Sequence, residues 1–255
     1  MTASLQLIAV PGIPLVQPGD DLTGLIIAGI ATAGLVLQDH DVVVIAQKVV
    51  SKAEGRFVDL ATIEPSQRAE TLAREVNKDP RLVEVILADA RRIVRSGRDV
   101  LIVEHRLGFV MANAGVDQSN VAGPHDRQLA LMLPRDPDAS AARLQEGLQR
   151  RFGCRIGVVI NDSLGRPWRL GTVGVAIGCA GLPALLDLRG QPDLFGRKLQ
   201  VTVIGYADEI AAAASLLMGQ ADEARPVVIV RGLPRQDRCL PARSLIRPAG
   251  EDLFR

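Results

Sequence analysis

The apolar positions of this chain fall into short continuous runs where strands are expected and into helical spacing elsewhere. Leu5–Val10 is a run halted by Pro11-Gly12 and reads as a strand. Asp41–Ala46 carries Val42-Val43-Val44-Ile45, unbroken by polar residues, the pattern of a strand covered on both faces. Ile156–Ile160, Leu199–Ile204 and Val227–Val230 read as further strands, and Val100–Glu104 with Phe109–Ala112 as a hairpin around Leu107-Gly108. Val173–Ala180 fits a strand or a packed helix, and Gly174, Gly178 and Gly181 there point to close packing of backbones. Pro18-Gly19-Asp20-Asp21 predicts a turn whose acidic residues cap the next helix. Helices are expected over Glu64–Asn77, from Pro80 (Leu82, Val83, Ile86 and Leu87 at helical spacing), over Ala139–Arg151 and over the alanine-rich Asp208–Met218. The proline- and arginine-bearing end reads as a surface tail. This irregular alternation predicts a mixed α/β (α+β) fold, not a clean doubly wound sheet.

Composition narrows the class. The 255 residues permit one large domain or two units sharing a sheet. Hydrophobic residues make up 47% but aromatics only 3%, so the core is built from Val, Leu, Ile and Ala. Thirty Lys and Arg against 29 Asp and Glu leave a net charge of +1, which gives no footprint for nucleic acid or an acidic membrane. The amino terminus does not read as a secretory signal, and no stretch reads as a membrane span. Cys154, Cys179 and Cys239 are odd in number and lack metal-like spacing, which fits a reducing, cytoplasmic setting.

Familiar chemistry is absent. There is no G-x-x-x-x-G-K-[ST], no G-x-G-x-x-G after a strand and no G-x-S-x-G elbow. His40, His105 and His125 lie in turn-like or polar contexts, so a hydrolase triad is not expected. Polar residues instead collect after apolar strands, where open α/β sheets place ligands. After the valine strand come Lys48 and Lys52, which could neutralise phosphate or simply line a solvated turn. Asn113–Asn120 offers Asp117 and Asn120 in a small-residue loop, or a plain Asx-rich turn. Most informative is Asn161-Asp162-Ser163-Leu164-Gly165-Arg166-Pro167-Trp168-Arg169. Asp162 and Ser163 are hard oxygen donors suited to magnesium or manganese, and the arginines suit a two-point grip on an anion. Asp162 could equally cap a turn, and Trp168 could be a core aromatic.

Taken in order, these segments resemble the coenzyme F420-0:L-glutamate ligase (F420 gamma-glutamyl ligase) family. The likeness runs through Gly12–Val16, Pro18–Leu22, Val50–Arg56, Asn113–Asn120, Leu133–Asp138, Asp162–Arg169, Ala207–Ala213 and Leu217–Gln220, nearly the whole chain. It implies an unusual two-lobed α/β fold with mixed sheets, an intertwined homodimer, and a single ligase domain over residues 1–255 without the flavin-reductase-like domain of some relatives. It also implies GTP-dependent addition of L-glutamate to F420-0 in coenzyme F420 biosynthesis. Metal ligands would be Asp117, Asp162, Ser163 and Gln220, holding Mg2+ or Mn2+, with K+ a further candidate. The nucleotide would lie against Ile13, Pro14, Leu15, Val16, Gln47, Lys48, Lys52, Asn120, Met218, Gly219, Gln220, Ala221, Asp222, Glu223, Ala224 and Arg225. Asp117, Asp162 and Lys52 would carry catalysis, and Arg166, Arg169 and Arg189 would bind the anionic substrates. Ser163 stands where the family often has threonine, Leu188 where tyrosine is common and Met111 where cysteine is frequent. The alternative is a nucleotide-dependent amide ligase for another carboxylate acceptor.

Overall fold

A computed structural model describes residues 4–121 and 128–252. The chain opens with β1 (Gln6–Ala9) and turns at Pro18-Gly19 into α1 (Leu22–Thr32). Asp21 stands at the N-cap, but its side chain makes no capping bond; Asp20 instead accepts from the Gln17 N–H at 2.8 Å and closes the turn. The valine run forms β2 (Val42–Ala46), and the next residue already begins α2 (Gln47–Ala53), a helix where the sequence suggested a charged turn. After β3 (Phe57–Asp59), α3 (Gln67–Val76) starts later than Pro65 suggested. Ser66 is the N-cap, its hydroxyl accepting from the Ala69 N–H. Asp79 caps α4 (Pro80–Asp89), with Pro80 in the first turn.

Next comes β4 (Ala90–Gly97), which the sequence did not announce. Register shifts at Ala90/Arg92 and Ile93/Arg95 break its alternation, so the strand period is hidden. The expected hairpin follows as β5 (Val100–His105) and β6 (Val110–Ala112), then the short β7 (Leu129–Leu131). Asp136 caps α5 (Pro137–Phe152), and Gly153 ends it at φ 68°. The strand expected to stop at Ile160 runs on: β8 (Gly157–Arg166) and β9 (Arg169–Ala180) make one long hairpin, so Asp162 and Ser163 lie within a strand. Only the end of Leu199–Ile204 is extended, as β11 (Val203–Ile204), paired with β10 (Leu186–Asp187). Helix α6 (Tyr206–Met218) and β12 (Val227–Arg231) complete the fold. The tail is not free: Leu240 bridges Pro183, and buried Ala242 donates its N–H to Asp138 Oδ1 at 2.7 Å.

The central sheet has the order β1-β12-β2-β8-β9, with β2 and β8 parallel and the other pairs antiparallel. Its continuous apolar runs are explained by cover on both faces. Ile26 and Ile30 of α1 and Leu144 and Leu148 of α5 pack with Val43, Ile45, Val158 and Ile160. Ala207, Ile210, Ala211 and Ala214 of α6 pack with Val42, Val44, Val159 and Val228 on the other face. Alanine on α6 lets the helix approach closely, and Gly174 lets it closer still: a Cβ there would lie 2.5 Å from the Ala211 carbonyl oxygen. A third core joins α3, α4 and the β4-β5-β6 sheet through Leu72, Val83, Ile86, Leu101 and Val103. Val173–Ala180, which fitted a strand or a packed helix, is a strand packed inside the chain: Ala176, Ile177 and Cys179 are buried. The cysteines form no disulfide, and among the described residues no helix is long and apolar enough to cross a membrane.

Candidate active site

Because β2 and β8 are parallel neighbours, with Ala46 opposite Asn161, the carboxyl end of β2 is delivered beside Asn161 and Asp162 in the middle of β8. There β2 becomes α2, where Lys48 and Lys52 lie one helical turn apart on the same face. The third core contributes the loop after β6. There Asn113, Ala114 and Gly115 all have left-handed φ (54°, 52° and 68°), an arrangement only glycine adopts freely. Asp117 is then fixed by backbone bonds exchanged with Leu131 at 3.0 and 2.8 Å.

The pieces meet through polar contacts. Lys48 Nζ lies 2.7 Å from Asp117 Oδ2 and donates to Ser119 Oγ at 2.8 Å. Lys52 Nζ donates to the Asn120 carbonyl at 2.7 Å, and Asn120 Nδ2 donates to the Ala221 carbonyl at 3.3 Å. Ser163 Oγ donates to Gln220 Oε1 at 2.6 Å. Side chains alternate along a strand. Asp162 therefore shares the α2-facing side with Ile160, while Ser163 shares the α6-facing side with Val159 and Asn161. The proposed ligands thus form two adjoining groups: Asp117 and Asp162 beside Lys48, and Ser163 with Gln220.

The electrostatics separate the two carboxyls. Burial, together with the charge of Asp117, pushes Asp162 up to about 6; the Ser163 N–H and Lys48 only partly oppose this. Burial also pushes Asp117 upward, but the Lys48 ammonium and the Ser119 N–H outweigh it and hold the acid below its ordinary range. Burial and the neighbouring charge of Lys48 lower Lys52. One carboxyl is paired with a lysine and the other makes no ion pair among the described residues, an arrangement that suits a bound cation. Among the described residues no three His, Cys, Asp or Glu side chains cluster as a metal site. The donors at hand are two carboxylates and the neutral oxygens of Ser163 and Gln220, an all-oxygen set that fits a hard divalent ion.

Other anticipated residues are spread around this region. The Gly19 N–H donates to the Ala53 carbonyl, seating the loop that begins at Ile13–Val16 on the end of α2; Leu15 in that loop is exposed and Val16 buried. Gln47 is buried and donates to Ser51 Oγ at 2.9 Å. Met218 ends α6, Gly219 breaks it at φ 75°, and Ala221 to Arg225 run exposed past Asn120, with Glu223 accepting from the Ala221 N–H. The three arginines are not gathered at the carboxylates. Arg166 stands four residues beyond Asp162 on β8, roughly 13 Å at strand rise. Its cross-strand partner Arg169 is exposed. Arg189 is engaged by Asp187 at 2.6 Å. Trp168 is exposed at the hairpin tip and is not a core aromatic. His105 is buried, His40 has left-handed φ, and His125 lies outside the described residues.

The model of the F420-0:Gamma-glutamyl ligase family matches residues 12–232, which include every segment just described. The chain belongs to this family. It is 49% identical over 255 residues to a coenzyme F420:L-glutamate ligase of Methanothermobacter thermautotrophicus, covering 98% of this chain and 99% of that one. A protein of the same name from Methanopyrus kandleri is 49% identical over 94% of this chain and 93% of its own. One from Methanocaldococcus jannaschii is 45% identical over 86% of each. Sequence reasoning had passed over Ser119, which shares Lys48 with Asp117, and Asn161 and Ser215, which tie β8 to α6 at 3.0 Å. The available signal for Asn161 was a lone amide closing an otherwise apolar strand run.

Proposed function

We propose that this chain joins L-glutamate to the carboxylate of F420-0 by an amide bond, consuming GTP, as a step of coenzyme F420 biosynthesis. Family membership and the names of the relatives support the substrates. The observation that carries the chemistry is the convergence of Asp117, Asp162, Lys48 and Lys52 at the carboxyl end of β2. A carboxylate is a poor electrophile. Transfer of the γ-phosphoryl group of GTP to the acceptor carboxylate gives an acyl phosphate and GDP. The glutamate amine then displaces phosphate and loses a proton to solvent. Such transfer depends mostly on positioning and charge neutralisation.

In this reading Lys48 and Lys52 neutralise phosphate oxygens, and the loop of Ile13–Val16 and the segment Met218–Arg225 flank the nucleotide. Asp117, Asp162, Ser163 and Gln220 hold Mg2+ or Mn2+, which when bound supplies positive charge to the moving phosphoryl group. Arg166 and Arg169 on the β8–β9 hairpin, and Arg189 once released from Asp187, are the groups assigned to the anionic substrates. A homodimer accounts for the exposure of Trp168 (88%), Leu170 (99%), Leu194 (99%) and Phe195 (90%), which a lone protomer leaves in water. Three unpaired cysteines support a cytoplasmic setting.

The test is purified protein with GTP, Mn2+, glutamate and F420-0, read by mass spectrometry for an added glutamyl unit. Phosphate release without glutamylation would transfer the reading to another carboxylate acceptor. Equal turnover with ATP would remove the guanine preference, and a monomer by light scattering at micromolar concentration would remove the dimer.

A further inference from the structure

We propose that Asn161 and Ser215 form a clamp that sets the position of Gln220, making Asn161 a positioning residue of the site; this rests on the metal-site reading above. Asn161 is 5% exposed and is the polar residue that follows Val158-Val159-Ile160 in β8. Its Nδ2 donates to Ser215 Oγ at 3.0 Å and approaches Met218 Sδ at 3.4 Å, both in the last turns of α6. Ser215 in turn donates to the Ala211 carbonyl at 3.0 Å. Two residues after Met218 comes Gln220, whose Oε1 accepts from Ser163. One side of the loop between clamp and ligand is the rigid end of a helix, and Gly219 at φ 75° and ψ −177° makes the turn.

Three observations point to geometry as the reason for this amide. Asn161 Oδ1 is buried and has no hydrogen-bond partner among the described residues, a cost that an apolar residue of similar size would not carry. The ladder slips beside it: Ile160 faces Gly178 but Asn161 faces Ala176, and such bulges re-aim side chains next to sites. Gly174, cross-strand from Ser163, leaves room for Ser215 and Ala211 to press on the strand. The clamp therefore grips α6 at the register where Ser163 meets Gln220. Beyond it, residues 221–225 are exposed, and a bond from Asn120 to the Ala221 carbonyl ties them to the Asp117 loop. Without the clamp, the end of α6 and Gln220 lose their fixed distance from Ser163 while both carboxylates stay in place.

The experiment measures Mn2+ dissociation constants from the electron paramagnetic resonance signal of free Mn2+, alongside thermal melts without metal. The proteins are wild type, Asn161→Leu, Ser215→Ala, Gln220→Ala and the double variant Asn161→Leu/Gln220→Ala. Residues orienting ligands from behind typically change metal affinity by 10–100-fold. Asn161→Leu and Ser215→Ala should each weaken Mn2+ binding about 10-fold, with turnover at saturating Mn2+ within about two-fold of wild type. In the Gln220→Ala background Asn161→Leu should weaken it no further. An unchanged dissociation constant with a lowered melting temperature in both single variants would make the cluster merely structural and overturn the clamp. The same 10-fold loss persisting in the Gln220→Ala background would show that Asn161 does not act through Gln220. A wild-type protein that binds no Mn2+ would sink the metal site itself and the clamp with it, a result distinct from either failure of the clamp alone.

Discussion

Replacing Asp162 by Asn should stabilise the metal-free protein while abolishing its response to metal. The carboxyl at this position titrates at about 6 instead of its ordinary 3.8 because burial and Asp117 both oppose its charge. Well below 3.8 it is protonated in native and unfolded chains alike and contributes nothing. Between those values the native state keeps a proton that the unfolded chain has lost, so stability falls as pH rises. Above about pH 6 the penalty is complete. At 1.36 kcal/mol per pKa unit it amounts to about 3 kcal/mol. Asn keeps the oxygen that accepts from the Ser163 N–H and removes the charge. For a chain of this size that corresponds to a rise in melting temperature of roughly 6–12 °C at neutral pH as an upper limit. Divalent metal should cancel most of this advantage, because Mn2+ at a hundred times its dissociation constant would stabilise wild type by about 2.7 kcal/mol. The variant, lacking one of the two proposed carboxylate ligands, should gain little.

The assay is a set of melts of wild type and Asp162→Asn from pH 4 to 8, with chelator and with Mn2+, beside initial rates against Mn2+ concentration. The advantage of the variant should be small at pH 4, grow through pH 6 and largely vanish when metal is added, while its turnover falls by orders of magnitude. An Asp162→Asn protein that melts below wild type by the same margin at every pH would make the carboxylate structural. Near-normal turnover with an unaltered metal dependence would dismiss the assigned site.

Elsewhere the buried charges run the other way. Burial alone would raise Asp89, but the His105 ring and the Arg106 guanidinium hold it at about 2. Its contribution, about 2–3 kcal/mol, is present above pH 4 and lost as pH falls through 2, so Asp89→Asn should show that loss in urea unfolding at pH 7 and little difference near pH 2. Arg231→Met should cost about 3–5 kcal/mol, because Asp41, 1% exposed, would lose the paired contacts at 2.9 and 2.7 Å; equal urea midpoints would show that Asp41 is satisfied without it. Gly178→Ala should cost roughly 1–3 kcal/mol by overpacking, since its Cβ would run into the Pro137 carbonyl; an unaltered midpoint would mean that α5 can move away from β9.

What could be read from the sequence depended on whether local pattern and tertiary contact agreed. The valine run of β2 was legible because two cores cover it, and Gly174 and Gly178 were legible as packing glycines because backbones do approach them. Strand β4 was hidden by arginines and by two register shifts, and α2 by its two lysines, which look like a solvated turn until Asp117 and Asn120 are seen to receive them. The continuation of β8 past Ile160 was invisible because its polar residues owe their strand conformation to β9, with Ser163 opposite Gly174 and Gly165 opposite Thr172. Apolar periodicity reports packing against a core, and those positions are polar, with Gly165 exposed.

The same reasoning explains why the site was legible only as separate pieces. Asp117 follows β6 and Asp162 lies within β8, but what makes them a pair is that β2 and β8 are parallel neighbours and that the loop after β6 folds across the end of β2. No spacing in the chain encodes that adjacency. Lys48 lies 69 positions before Asp117 and reaches it only because α2 begins the moment β2 ends. Had a longer loop intervened, the lysine would not be held on one helical face with Lys52, and Asp117 would stand as uncompensated as Asp162. The abrupt strand-to-helix junction at Ala46-Gln47 is therefore the local feature from which the asymmetry of the two carboxyls follows: one paired with a lysine and held below its ordinary range, the other raised by burial.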